Sequence, residues 1–289
     1  MLIPLLLSAA AGADIPLVRA LSAAGYCISG ALIALVMLRY GAMQGAFVLG
    51  AVVALVGGVS VVGVGGTPEG LLLVVAGWVP TAVSALVLRH SNAQGPALLA
   101  AGAIAVFIWT AAWFVNGGGL HETALSGSAL SDGGSDALLG ASNGLHMMPE
   151  LSLVDLVVLM LMSLLMTAAS MLFLGRSWHA MLDKPGGFGE EFRALRFPRW
   201  FAYCFAGAVL GSLLTTGGGA AFLGGMTRIA TVLFLFQGIA IVHAIVNARG
   251  AWVGWLVAMY LSLPVTYLFL VTGGFADTFM DFRRRAGIT

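Results

Sequence analysis

Hydrophobic runs recur along this chain at the spacing of membrane helices. Eight windows, roughly 21–38, 42–64, 70–88, 97–115, 152–174, 200–216, 228–246 and 251–272, approach the ~20 apolar residues that cross a ~30 Å hydrocarbon core at 1.5 Å rise. Runs such as Leu151 to Leu174 are apolar on all sides, whereas outer-membrane barrel strands alternate with period two. Only helices satisfy their own backbone in lipid at this density of apolar residues. The pattern predicts an all-α, polytopic transmembrane bundle of about 7–8 segments, one integral membrane domain over 1–289.

Two segments interrupt the rhythm. Residues 116–150 are rich in Gly and Ser, hold Glu122, Asp132, Asp136 and Glu150, and contain no Lys or Arg. Residues 176–199 carry Arg176, Lys184, Arg193, Arg196 and Arg199. The positive-inside rule places the second in the cytoplasm and the first outside. Arg39, Arg89 and Arg249 fall on the side of the basic loop, giving eight basic residues inside. Three full spans after that loop would put the tail Arg283-Arg284-Arg285 outside, against the rule. A cytoplasmic basic tail (273–289) is expected, with window 200–216 tilted or re-entrant.

Composition narrows the class. The chain is 60% hydrophobic and 9% charged, against about 25% charged in soluble domains. Thirteen Lys/Arg against twelve Asp/Glu leave +1, which gives no electrostatic case for nucleic acid. Cys27 and Cys204 lie in apolar stretches without metal-ligand spacing, so they read as small hydrophobes, with no metal or cofactor implied. Leu2 to Ala10 is apolar and Ala11-Gly12-Ala13 resembles a cleavage site, but no basic residue precedes Arg19. The expected form is a short N-terminal helix dipping into the bilayer. The pairs Gly41/Gly45 and Gly207/Gly211 are expected to pack helices within the monomer.

No H-E-x-x-H, G-x-S-x-G or P-loop motif occurs and no carboxylate pair sits within a span; the chain is not expected to be an enzyme. Asp155 reads as a solvated helix end. The seventh window is the most polar, with Thr227 and Arg228 at its start, then Gln237, His243 and Asn247. His243 and Asn247 share a face, with Gln237 about 80–120° round the helix. This set has two readings: contact with a small molecule or ion, or interhelical hydrogen bonding. Pro185-Gly186-Gly187 signals a turn, and Glu190 to Phe197, closed by Pro198, suits a short interfacial helix between Trp178 and Trp200. It is expected to be either a surface linker or a dock for a cytoplasmic partner. At the C-terminus, Asp277 and Asp281 are one turn apart, Asp281 is spaced to pair with Arg284 or Arg285, and the arginines suit anionic lipid.

The loop motif Gly186-Gly187-Phe188-x-x-Glu191-Phe192-Arg193-x-Leu195-Arg196-x-Pro198 and the tail motif Gly274-x-x-Asp277-x-x-x-Asp281-Phe282-Arg283 resemble the YybS-like family of bacterial inner-membrane proteins. The resemblance implies an architecture like the substrate-binding membrane subunits of energy-coupling-factor vitamin transporters and like the rod-shape protein MreD. The eight windows and the acidic loop exceed the six spans usual in such subunits. The leading expectation is a transporter-subunit-like protein that binds a small molecule at Gln237, His243 and Asn247, near the outer leaflet. The alternative is a non-catalytic scaffold that meets a membrane or cytoplasmic protein, or lipid, through the loop and tail residues.

Overall fold

A computed structural model describes residues 16–61, 68–118, 152–280 and 282–285. Residues 1–15, most of the acidic loop 116–150, Asp281 and residues 286–289 lie outside the described part. The described residues form helices and no strand: α1 Pro16–Tyr40, α2 Ala42–Val61, α3 Pro68–Ser91, α4 Gln94–Val115, α5 Leu153–Asp183, α6 Gly187–Arg193, α7 Arg199–Leu214, α8 Gly217–Ala248, α9 Gly254–Leu261, α10 Leu263–Met280 and α11 Phe282–Arg285.

Five of these are long and apolar enough to cross a membrane: Ala23–Tyr40, Gln94–Val115, Leu153–Asp183, Gly217–Ala248 and Leu263–Met280. Their surface fits lipid. Met43, Phe47, Phe107, Phe114, Leu213 and Phe269 all stand exposed, a greasy exterior that a water-soluble monomer does not carry. Each of the eight hydropathy windows holds a described helix, yet these differ in reach. Helix α7 has 16 residues, about 24 Å of rise, short of the ~30 Å core. The last window is broken. Ser262 closes α9 two residues ahead of Pro264, whose missing N–H leaves one helix bond unmade.

Three boundaries depart from the hydropathy reading. Helix α5 runs for 31 residues, so Arg176, Trp178 and His179 lie on its last turns and not in a loop. Helix α6 stops at Arg193, ahead of the extended stretch to Pro198. Helix α8 begins at Gly217, well before the polar pair Thr227-Arg228. The start of α5 is fixed by a capping box, in which Ser152 Oγ accepts from the Asp155 N–H (3.2 Å) and the Ser152 N–H donates to Asp155 Oδ2 (3.3 Å).

Side-chain contacts fix the helix directions. Gly30 sits under Met171 and Gly175 under Ala31 and Ala34, so α1 and α5 run side by side in the same sense. Arg89, near the end of α3, donates to Met37 O (3.2 Å) and Leu38 O (3.0 Å) near the end of α1. Helix α4 opposes α8, with Trp109 beside Gly225 and Gly102 beside Leu233. Buried Trp109 donates to Phe222 O at 3.0 Å. The C-terminal ends of α1, α3, α5 and α8 therefore gather at one end. Arg39, Arg89, Arg176, Lys184, Arg193, Arg196, Arg199 and Arg249 collect there, as the charge pattern requires. Gly41, Gly45 and Gly211 pack against Arg89, Met37 and Leu223, whereas Gly207 faces open space. The close crossing that hydropathy did not disclose is α8 over α10: a Cβ on Gly238 would strike Leu270 O, and one on Gly274 would strike Phe234 O.

Candidate functional site

The basic end carries a folded-back hairpin. After α5, Gly186 takes φ 86°, a left-handed conformation that glycine adopts without a Cβ clash. The chain then turns into α6, with Gly187 buried at its start. Arg176 on α5 holds Glu191 on α6 through two hydrogen bonds, Nε to Oε2 at 2.8 Å and Nη2 to Oε1. Its Nη1 meets His179 Nδ1 at 2.7 Å. Lys184 donates to Glu190 Oε2 at 2.9 Å; that hydrogen bond draws the Glu190 carboxyl below its usual range and raises the Lys184 ammonium. Phe188 and Phe192 stack on each other (6.0 Å), and Phe192 meets Phe173 edge-on at 5.3 Å. Arg193 lies along α6 beside Gly189. The loop aromatics thus pack onto the bundle.

Below the hairpin lies a buried polar knot. Gln237 on α8 and Asp277 on α10 have no solvent exposure, and Arg283 is 7% exposed. The Gln237 amide oxygen accepts from the Phe197 N–H (3.1 Å); its nitrogen donates to Thr278 Oγ1 (3.3 Å) and Asp277 Oδ2 (3.4 Å). Asp277 Oδ1 accepts from the Phe282 N–H at 2.9 Å. Its other oxygen lies 3.6 Å from Arg196 Nε and 3.8 Å from Arg283 Nη2. Arg283 also donates to Leu195 O at 2.7 Å. The carboxylate is flanked by two guanidiniums and tied into a hydrogen-bond network, which is how a buried charge is tolerated. The knot joins the α6–α7 linker, mid α8 and the chain beyond α10.

A further ion pair, Arg228 Nη1 to Asp155 Oδ1 at 2.5 Å, bridges α8 and α5 at the end of the bundle away from the basic cluster. Asp155 is therefore a helix cap and a partner in one. One turn below, Thr231 Oγ1 and Tyr267 OH are 2.6 Å apart.

Beside the end of α8 runs an apolar groove of about 680 Å³, within the 300–1,000 Å³ usual for small-molecule sites. Val242, Ile245, Val246 and Arg249 form its wall on α8; Trp255, Ala258, Met259, Ser262, Thr266, Phe269 and Leu270 form the wall on α9 and α10, with Ala251 at the turn. The Ser262 and Thr266 hydroxyls are spent on their own helix, donating to Met259 O (3.2 Å) and Ser262 O (3.0 Å). The kink ahead of Pro264 opens the space by bending α9 and α10 around the end of α8.

The three residues expected to share a ligand are dispersed. Gln237 is consumed by the knot. His243 meets Tyr260 OH at 3.0 Å and Phe192 edge-on at 5.5 Å. Asn247 is exposed on the last turn of α8. None lines the groove, and His243 and Asn247 lie toward the basic end of the bundle. The loop and tail motifs, by contrast, converge through Arg196, Asp277 and Arg283, while Asp281 lies outside the described residues. In the sequence the groove is marked by the apolar stripe Val242, Ile245, Val246 ending in Arg249, at i, i+3, i+4 and i+7, which lacks the polarity that distinguishes an intramembrane site. Among the described residues, no three His, Cys, Asp or Glu gather to hold a metal. Compared with known proteins, the chain matches no family model, no curated protein and no solved structure.

Proposed function

We propose that this chain is a non-catalytic, multi-pass protein of the bacterial inner membrane, with seven or eight membrane segments and its basic end in the cytoplasm. Its activity is to bind a hydrophobic small molecule in the groove between α8 and α9–α10, as the membrane subunit of a transport system would. The groove carries this reading: about 680 Å³ of apolar space bounded by two helical walls. The positive-inside pattern of the eight basic residues supports the orientation. The resemblance of the loop and tail motifs to the YybS-like family belongs to the same proposal. A scaffold docking partners through Phe188 and Phe192 is disfavoured, because both rings already pack within the bundle.

The test is extraction of the full chain, purified in mild detergent, and mass spectrometry of what it retains. The wild-type protein should carry a hydrophobic compound that Ala258→Phe, which fills the groove, loses. Identical extracts from the two proteins, with equal melting temperatures, would overturn the proposal.

A further inference from the structure

The groove is apolar along its length and cationic at one end. Arg249 follows the last turn of α8, is exposed, and makes no side-chain hydrogen bond or ion pair among the described residues. Its α8 neighbours in the groove, Val242, Ile245 and Val246, offer no polar group. The Ser262 and Thr266 hydroxyls have their protons committed to Met259 O and Ser262 O. A polar solute would lose its water along these walls and find few groups to replace it. A hydrocarbon chain would lose nothing.

The level of the charged end is marked independently. Trp252 and Trp255, 81% and 67% exposed, stand beside Arg249, and tryptophan concentrates where headgroups meet hydrocarbon. Arg249 is therefore at headgroup depth while the groove rises from it into the membrane core. Charge at the headgroups and apolar walls above them are the complement of one kind of molecule.

We infer that the groove holds an acyl chain of an anionic phospholipid of the surrounding bilayer, with the headgroup phosphate at Arg249. This rests on the groove being a binding site, as proposed above, and adds the class of occupant. The guanidinium offers two parallel N–H donors to a phosphate, and a net negative headgroup gains attraction that a zwitterionic one offsets with its own cation. A single arginine near the surface corresponds to about fivefold in affinity.

The experiment titrates the full chain in detergent with phosphatidylglycerol or phosphatidylcholine of identical acyl chains and counts bound lipids by native mass spectrometry. Wild type should retain phosphatidylglycerol about fivefold better. Arg249→Gln should abolish that preference, Arg249→Lys should keep most of it, and Ala258→Phe should lower retention of both lipids. Equal retention of the two lipids by wild type, with both lost in Ala258→Phe, would overturn the anionic assignment and leave the groove as a phospholipid site without headgroup selectivity. No retention beyond that of Ala258→Phe for either lipid would overturn lipid occupancy altogether. Preference unchanged in Arg249→Gln would place the headgroup elsewhere.

Discussion

Asp277, shut off from solvent on α10, lies 3.6 Å from Arg196 Nε in the linker between α6 and α7. Arg283 approaches the same carboxylate oxygen at 3.8 Å. One side chain thus ties two elements far apart in the chain, and the most direct prediction follows from it. Asp277→Ala takes the carboxylate away from the buried Arg283 guanidinium, while Arg196 reaches water, and should lower stability by about 3–5 kcal/mol. Thermal unfolding of purified protein in detergent reads this loss. A drop below 1 kcal/mol would mean that the knot is not closed in the membrane protein.

The pair at the other end should behave differently. Arg228 and Asp155 side chains are 41% and 34% exposed, and Asp155 keeps its capping bonds to Ser152 when Arg228 is removed. Arg228→Ala should therefore cost under about 1 kcal/mol, and the loss should shrink as salt is raised. The same melting assay, run at two ionic strengths, measures both.

Helices α8 and α10 meet through two glycines with no room for a methyl group. Gly274→Ala should force them apart and cost about 1–3 kcal/mol. Gly207→Ala, facing open space, should be neutral or slightly stabilising by its helix propensity. Equal effects of the two substitutions would contradict the crossing.

The α6 hairpin is latched by Arg176 on Glu191. Glu191→Gln keeps the shape but removes the charge, and about 1 kcal/mol of lost latching corresponds to roughly fivefold more of the open form. Hydrogen exchange at Phe188 to Leu195 should accelerate by that factor, while exchange in α8 stays unchanged. Acceleration across the whole bundle would mean that the latch holds more than the hairpin.

The all-helical, apolar character of the chain was legible because burial in lipid demands long apolar helices, and a hydropathy average detects them; five of the eight windows hold helices long enough to span. The averages misplace helix ends for a physical reason: a helix that leaves the hydrocarbon keeps its hydrogen bonds while its side chains turn polar, as α5 does from Arg176 to Asp183. At Gly217-Gly218-Gly219 the opposite holds, and glycines that resemble a break open α8. The motif residues Arg196, Asp277 and Arg283 stood out singly, but their meeting depends on where three distant segments are placed. Gln237 alone is compatible with a ligand contact or an interhelical hydrogen bond, and its hydrogen bonds to Phe197, Asp277 and Thr278 depend on segments that the sequence does not place. The groove left the faintest trace, because an empty space is written in what the surrounding side chains lack.

The knot also sets an order of assembly. When Arg196 and Phe197 leave the ribosome, neither Gln237 nor Asp277 has been made. Arg196 then has the earlier Gly95 of α4 beside its backbone, but not the knot. The linker's groups find their permanent partners after α8 and α10 have entered the membrane, so the middle of the protein stays provisional until those later helices arrive.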